Sequence, residues 1–251
     1  MGPRAVFPDL LMPSGVAMGI FWWQRGAWRR SAPAVQEGGL GMAAFSPEER
    51  EAVHRAIFAR RDIRHFREDP IPDEAFARLL QAFQAAPSVG LSQPWALVEV
   101  HDPSVKERVF ASHRAVRAAE RERFTGKALR IYDRLRLEGL LQAPTHLAVF
   151  QRPVTTTLGA FTMPEALTHS VVLAVGNLWL AARAEGIGVG WVSILEPDRV
   201  RTLLGVPEEH RLVAYLCLGY PRAWPKEPLL KTAGWREPEP LVHYRERWGC
   251  P

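Results

Sequence analysis

Between Met163 and Glu185 the sequence reads as one long helix that is apolar nearly all the way round, with Val171, Val172, Leu173, Val175, Leu178, Trp179 and Leu180 covering more than one face. Such a helix has no side to give to water, so it must be buried in a large core or between subunits. In a chain of 251 residues a subunit interface is a serious candidate. The remainder is ordinary globular sequence, 47% hydrophobic and 24% charged, which excludes a disordered chain, a collagen-like repeat and a disulfide-stapled miniature.

The elements around this helix are punctuated clearly. Ser46-Pro47-Glu48-Glu49 is a capping box with Pro at the first helical position, so a helix runs from there to about Arg60 with Val53 and Ile57 facing inward. A second helix follows Pro72, with Phe76, Leu79, Leu80 and Phe83 at i, i+3, i+4 and i+7, and ends before Pro87. Ala96–Val100 and Thr145–Phe150 read as strands, separated by one or two charged helices over 104–141. Gly186 and Gly188 stop the long helix. A strand at Val189–Ile194, a short helix from Pro197, a strand at Leu212–Leu218 and a Pro-rich tail complete the chain. Separated short strands with few βαβ units predict an α+β fold.

Charge and cysteine usage narrow the function classes. The 32 Lys+Arg outnumber the 27 Asp+Glu, for a net charge of +5, but the excess is spread along the chain. Its densest stretch, Arg117–Arg136, holds seven basic residues interrupted by Glu120, Glu122 and Asp133, which reads as a solvated helix face rather than a nucleic-acid platform. Cys217 and Cys250 define neither a disulfide pattern nor a metal spacing, and His54 and His65 lack partners for one, so no metal is expected and a reducing, cytoplasmic setting fits.

Residues 1–41 do not match the rest, with four Arg, two acids and three of the nine Trp. Their apolar stretch, Leu10–Trp23, has 14 residues broken by Pro13. A bilayer span needs about 20. The basic residues follow the apolar stretch rather than precede it, against a secretion signal. We expect a disordered extension or an upstream start ahead of a domain over 42–251, with no membrane association.

Three clusters hold chemistry-bearing residues. Arg60-Arg61-Asp62-Ile63-Arg64 brings three guanidiniums to the end of the first helix. Their rigid forks suit a phosphate, and Arg60 and Arg64 adjoin if helical geometry continues another turn; the alternative is plain surface arginines at a helix terminus. Asp62 among those cations should stay ionised unless buried. Pro87–Trp95 is a helix-to-strand loop in which Ser88, Gly90 and Ser92 allow close backbone approach to a ligand, and Gln93 offers donors and acceptors for a flavin or base edge, unless the loop is an ordinary turn. In Gly190-Trp191-Val192-Ser193-Ile194 a hydroxyl stands at a strand end beside a large aromatic. Gly186-Ile-Gly188-Val-Gly190 has the glycines of a dinucleotide loop but lies between helix and strand, the reverse of the required order, and reads as helix-stop punctuation.

In this order, and together with LEGLLQAP (137–144), YLCLGYP (215–221) and ERWG (246–249), the clusters resemble the nitroreductase superfamily from about Phe45 to Gly249. The resemblance implies an FMN-binding α+β homodimer, a mixed sheet flanked by helices, and the long central helix at a subunit interface where FMN sits. It places Arg60 and Arg64 on the FMN phosphate and ribityl end, with Arg61 and Asp62 among the cofactor-binding residues. Ser88, Gly90, Ser92, Gln93, Trp191 and Ser193 would flank the flavin, Gly219 would line it by backbone, Arg136 would neutralise charge at flavin N1, and segment 115–136 would be a lid.

Most of the superfamily has Ser where Asp62 stands. Asp62 with Ser193 resembles instead the flavin-destroying branch, which consumes reduced FMN and dioxygen as co-substrates and releases 5,6-dimethylbenzimidazole, the lower ligand of vitamin B12, and erythrose 4-phosphate. In that branch Asp62 would shuttle a proton near ribityl C1′ and Ser193 would hydrogen-bond flavin N5 or the peroxide. A separate flavin reductase would supply the reduced FMN. The alternatives are an NAD(P)H-dependent nitroreductase or flavin reductase that recycles its FMN, and a non-catalytic flavin-binding protein.

Overall fold

A computed structural model describes residues 44–135, 139–155, 157–246 and 248. The extension expected over 1–41 and the site residue Arg136 lie outside these. The capping box forms as its sequence requires: Ser46 Oγ accepts the Glu49 N–H at 3.2 Å and the Ser46 N–H donates to Glu49 Oε2 at 2.7 Å, opening α1 (Pro47–Ala59). The inward face expected for α1 is corrected, since Val53 and Ile57 are 45% and 43% exposed and α1 buries no residue. Among the described residues the helix packs chiefly on α5 (Glu165–Ala184), and its other apolar positions stay exposed.

Helix α2 (Asp73–Gln84) buries Leu79 and Phe83 of the expected face together with Ala75, and leaves Phe76 and Leu80 half-buried. The charged middle of the chain forms α3 (Pro103–Arg121), started by Asp102 accepting the Ser104 N–H at 2.7 Å, and α4 (Gly126–Arg134). Strands β1 (Trp95–Val100), β2 (Thr145–Gln151), β3 (Gly188–Val192) and β4 (Arg211–Gly219) form one sheet in the order β1-β2-β4-β3. Short helices α6 (Pro197–Leu203) and α7 (Leu229–Thr232) follow β3 and β4.

All three strand pairings are antiparallel, so the mixed character expected of the sheet reduces to one parallel bridge, Asp62 with Val189. Two glycines make that bridge possible. The Ile63 N–H donates to the Val189 carbonyl at 3.0 Å, and a Cβ on Gly188 would lie 2.8 Å from the Ile63 side chain, while one on Gly190 would collide with the Ile63 carbonyl. Gly186, at φ +73°, is the helix stop, whereas Gly188 and Gly190 admit a crossing segment of backbone.

Alternation along β2 and β4 divides the core in two. Leu147, Val149, Leu216 and Leu218 face α2 and α5, and Ala148, Phe150, Tyr215 and Cys217 join Ile63, Phe66, Val109 and Val200 on the other side. Helix α5 is long and apolar enough to cross a membrane, yet Ser170, Val171, Ala174, Val175, Leu178 and Ala182 form its buried stripe against this core. Val172 and Leu173 remain 40% and 52% exposed. The described residues therefore cover only part of the helix.

Candidate active site

The chain leaves α1 extended, with Arg60 at ψ 136°. The additional helical turn expected to juxtapose Arg60 and Arg64 is therefore absent. Extended backbone instead has a period of two, which turns Arg60, Asp62 and Arg64 to one side and drives Ile63 into the core.

Asp62 and Arg64 together bracket the peptide groups of Trp191. Asp62 Oδ1 accepts the Trp191 N–H at 2.9 Å, Arg64 Nη2 donates to the Trp191 carbonyl at 2.8 Å, and the same Nη2 donates to Asp62 Oδ2. Arg64 Nε and Nη1 are buried without a partner among the described residues. Burial pushes the Asp62 carboxyl above the ordinary carboxylate value, outweighing the opposing pull of the Arg64 charge, the Trp191 N–H and Arg60.

The other two arginines differ from each other. Arg60 Cζ sits over the Trp179 ring, 4.7 Å from its centroid, and the Trp179 ring in turn lies 6.3 Å from that of Trp191. Arg61 donates to the carbonyls of Phe58, Arg60 and Lys226 at 2.8, 2.7 and 2.7 Å, which ties the end of α1 to the C-terminal segment. Its Nη groups are thus committed to backbone rather than free for a ligand. A cavity of about 240 Å³ is lined by Arg60, Arg61, Asp62, Arg64 and residues 227–230. A second, of about 420 Å³, is lined by His65, Ile131, Arg134, Leu135, Leu229, Thr232 and Ala233, so the two have Leu229 in common.

The loop containing Ser88, Gly90, Ser92 and Gln93 is tightly built but lies elsewhere. Ser88 Oγ accepts the Gln93 N–H at 3.0 Å, Arg152 Nη2 donates to the Ser92 carbonyl at 3.0 Å, and the Val89 N–H donates to Ser170 Oγ at 3.0 Å. Gly90 sits at φ +54°, where a Cβ would also come within 2.8 Å of Leu158 N. Ser170 precedes Trp179 by nine residues of α5, about 14 Å along a helix axis. Within one chain the structure unites Arg60, Asp62, Arg64 and Trp191, and anchors the Ser88–Gln93 loop at the other half of α5.

Ser193 is exposed, just past the end of β3. The turn beside it is held by buried His113, whose Nδ1–H donates to the Ile194 carbonyl at 2.9 Å. At Gly219 a Cβ would lie 2.6 Å from Pro144 Cδ and 3.2 Å from the Phe66 ring, so internal packing demands the glycine. Sequence reasoning passed over His113, Trp179 and the cavity wall of α4 and α7. Trp179 carried a signal, an aromatic on the helix preceding the Gly190–Ile194 cluster, but its pairing with Arg60 depends on the extended exit from α1.

The profile of the Nitroreductase family matches residues 57–220, a span that contains Arg60, Asp62, Arg64, Trp191 and Ser193. The chain belongs to that family. More narrowly, it is 46% identical over 203 residues to a 5,6-dimethylbenzimidazole synthase of Rhodospirillum rubrum, covering 79% of this chain and 96% of the relative. It is 41% identical over 196 residues to a 5,6-dimethylbenzimidazole synthase of Rhodobacter capsulatus, covering 77% and 95%. Among solved structures, iodotyrosine deiodinase bound to FMN and 3-iodo-L-tyrosine superposes with a TM-score of 0.63 at 26% identity, covering 76% of this chain and 98% of that one.

Proposed function

We propose that the chain is an oxygen-dependent oxidoreductase that fragments reduced FMN to 5,6-dimethylbenzimidazole. The observation that carries this reading is the Asp62 carboxylate, held by the Trp191 N–H and by Arg64 at the wall of the arginine cavity. The identity to two synthases over nearly their whole length supports it.

The residues present fit an oxygen-rich, phosphorylated ligand. Arg64 offers two buried nitrogens without partners, and Arg60 presents a guanidinium already ordered by Trp179. Reduced FMN, when bound, supplies the electrons for dioxygen and the bonds that are cleaved. Arg60 and Arg64 hold its phosphate and ribityl end, and Arg64 also fixes the orientation of Asp62. Asp62 holds and transfers a proton at ribityl C1′; its raised pKa brings it nearer the operating pH, where a general acid or base works best. The Ser193 hydroxyl is the hydrogen-bonding group at flavin N5, on a turn braced by His113. Arg61 contributes by fastening the cavity wall.

The Ser88–Gln93 loop reaches the flavin from a second copy of the chain. Exposed Val53, Ile57 and Phe58 on α1 and Val172 and Leu173 on α5 form the apolar surface that such a homodimer would bury. Arg136 and the lid role of segment 115–136 belong to the same reading, as do a cytoplasmic location, a domain over 42–251 and a separate flavin reductase as donor.

Aerobic incubation of the pure protein with a flavin reductase, NADH and FMN should yield 5,6-dimethylbenzimidazole, identified by chromatography and mass. No product would sink the proposal. Rapid flavin reduction by NAD(P)H with the protein alone would favour a conventional nitroreductase, and FMN binding with neither reaction would favour a flavin carrier.

A further inference from the structure

Helix α4 presents Lys127, Arg130 and Arg134 at i, i+3 and i+7, all three exposed. At about 100° per residue they fall within roughly 60° of arc, a single stripe beside the face that buries Ile131 and Tyr132. The acids of the same hairpin are engaged elsewhere. Asp133 receives Arg121 at 2.7 and 2.8 Å, Glu120 accepts the Tyr132 hydroxyl at 2.8 Å, and Glu122 lies 3.8 Å from Arg121. Among the described residues none of the three stripe cations has an ion-pair partner.

The stripe ends at a cavity. Arg134, with Ile131 and Leu135, lines the 420 Å³ space beside His65, and Leu229 of that wall also lines the cavity of Arg60, Asp62 and Arg64. Like charges spaced this way along a helix repel one another and add nothing to its stability. Their alignment toward this cavity, which shares Leu229 with the arginine cavity, has a use if the ligand is an anion arriving from solution.

We propose that the Lys127–Arg130–Arg134 stripe is an electrostatic guide that captures a flavin phosphomonoester and speeds its entry into the arginine cavity. This rests on the FMN-fragmenting reading above. Aligned charges at a cleft raise association rates by about 10- to 1,000-fold. They act over a screening length of about 10 Å at 0.1 M salt. The phosphate, rather than the ring, is the feature recognised at long range.

The test is stopped-flow quenching of FMN fluorescence by the full-length protein over a salt series, with riboflavin, which lacks the phosphate, as the uncharged probe. At low salt K127Q/R130Q should associate with FMN about 3- to 10-fold more slowly than wild type, and K127E/R130E more slowly still. Dissociation should change less than about two-fold, the variants should converge with wild type near 0.5 M salt, and riboflavin association should not change. Glutamine retains good helix propensity, and circular dichroism checks that α4 persists. Equal FMN association rates at low salt, or a defect that lies in dissociation and survives high salt, would overturn the guide alone. Absence of FMN binding by the wild-type protein at equilibrium would overturn the functional reading and the guide with it.

Discussion

Asp62 and Trp191 are joined side chain to backbone: Oδ1 of Asp62 accepts the Trp191 N–H at 2.9 Å, two residues along β3 from Val189, the partner of Asp62 in the parallel bridge. The contact places a carboxylate against β3 at the point where Arg64 also reaches the Trp191 carbonyl. Asp62→Asn keeps a side-chain oxygen for the Trp191 N–H and removes the proton-transfer group. Product formation should fall by at least about 100-fold, the usual scale for losing a general acid or base, with FMN affinity within a few fold. Product analysis beside an FMN titration checks it, and equal loss of both would reassign Asp62 to binding.

Gly190 and Gly186 should respond differently to alanine. At Gly190 the new methyl group meets the Ile63 carbonyl, so the Arg60–Arg64 segment cannot lie on β3, and FMN binding should be lost with a large fall in stability. At Gly186 nothing lies within 4 Å and only the φ of +73° resists, a cost of about 1 kcal/mol. Thermal melts and FMN titrations of the two variants distinguish these costs.

Leu178→Ala removes a fully buried side chain from the core between α5 and the sheet and should cost about 2–5 kcal/mol, read as a lowered urea midpoint. Ile57→Asp with Val172→Asp changes two positions exposed in one chain. We expect a change of oligomeric state, seen by sedimentation, and weaker FMN binding because the Ser88–Gln93 loop of the second copy is withdrawn. An unaltered sedimentation coefficient would remove these faces from the interface.

Burial pushes His146 down to about 3, with its Nδ1 bonded to the Tyr215 hydroxyl at 2.9 Å. Its folded-state pKa thus lies below the unfolded value of about 6.5. The unfolded chain binds the extra proton between these values, so this contribution to stability is complete above about pH 6.5 and is lost as pH falls toward 3. Wild-type stability should decline there by up to about 1.4 kcal/mol per pH unit from this residue. His146→Gln should flatten that part of the profile in urea titrations, whatever its effect at neutral pH.

Much of the local structure was legible in the sequence because it rests on near-neighbour rules. The Ser46 capping box, the Leu79–Phe83 stripe of α2 and the order of short strands all depend on residues within a few positions of one another. The clustering of Arg60, Asp62 and Arg64 was legible as composition, but not as geometry. A helical exit from α1 would set Arg60 beside Arg64, whereas an extended one turns alternate residues to one side, and the Ile63–Val189 hydrogen bond goes with the second. The inward face assigned to Val53 and Ile57 failed because amphipathic periodicity marks a face that wants cover without saying which chain supplies it.

By itself the sequence determined an α+β chain with a central helix apolar nearly all the way round, and an Asp among arginines that resembles one branch of one family. The tertiary structure decided that Gly188 and Gly190 make room for a crossing segment, that Arg61 and Gly219 serve internal packing, and that Trp179 and His113 brace the site. These relationships join residues about 75 to 165 positions apart. They depend on how backbone segments pass one another in space, which periodicity and capping do not encode.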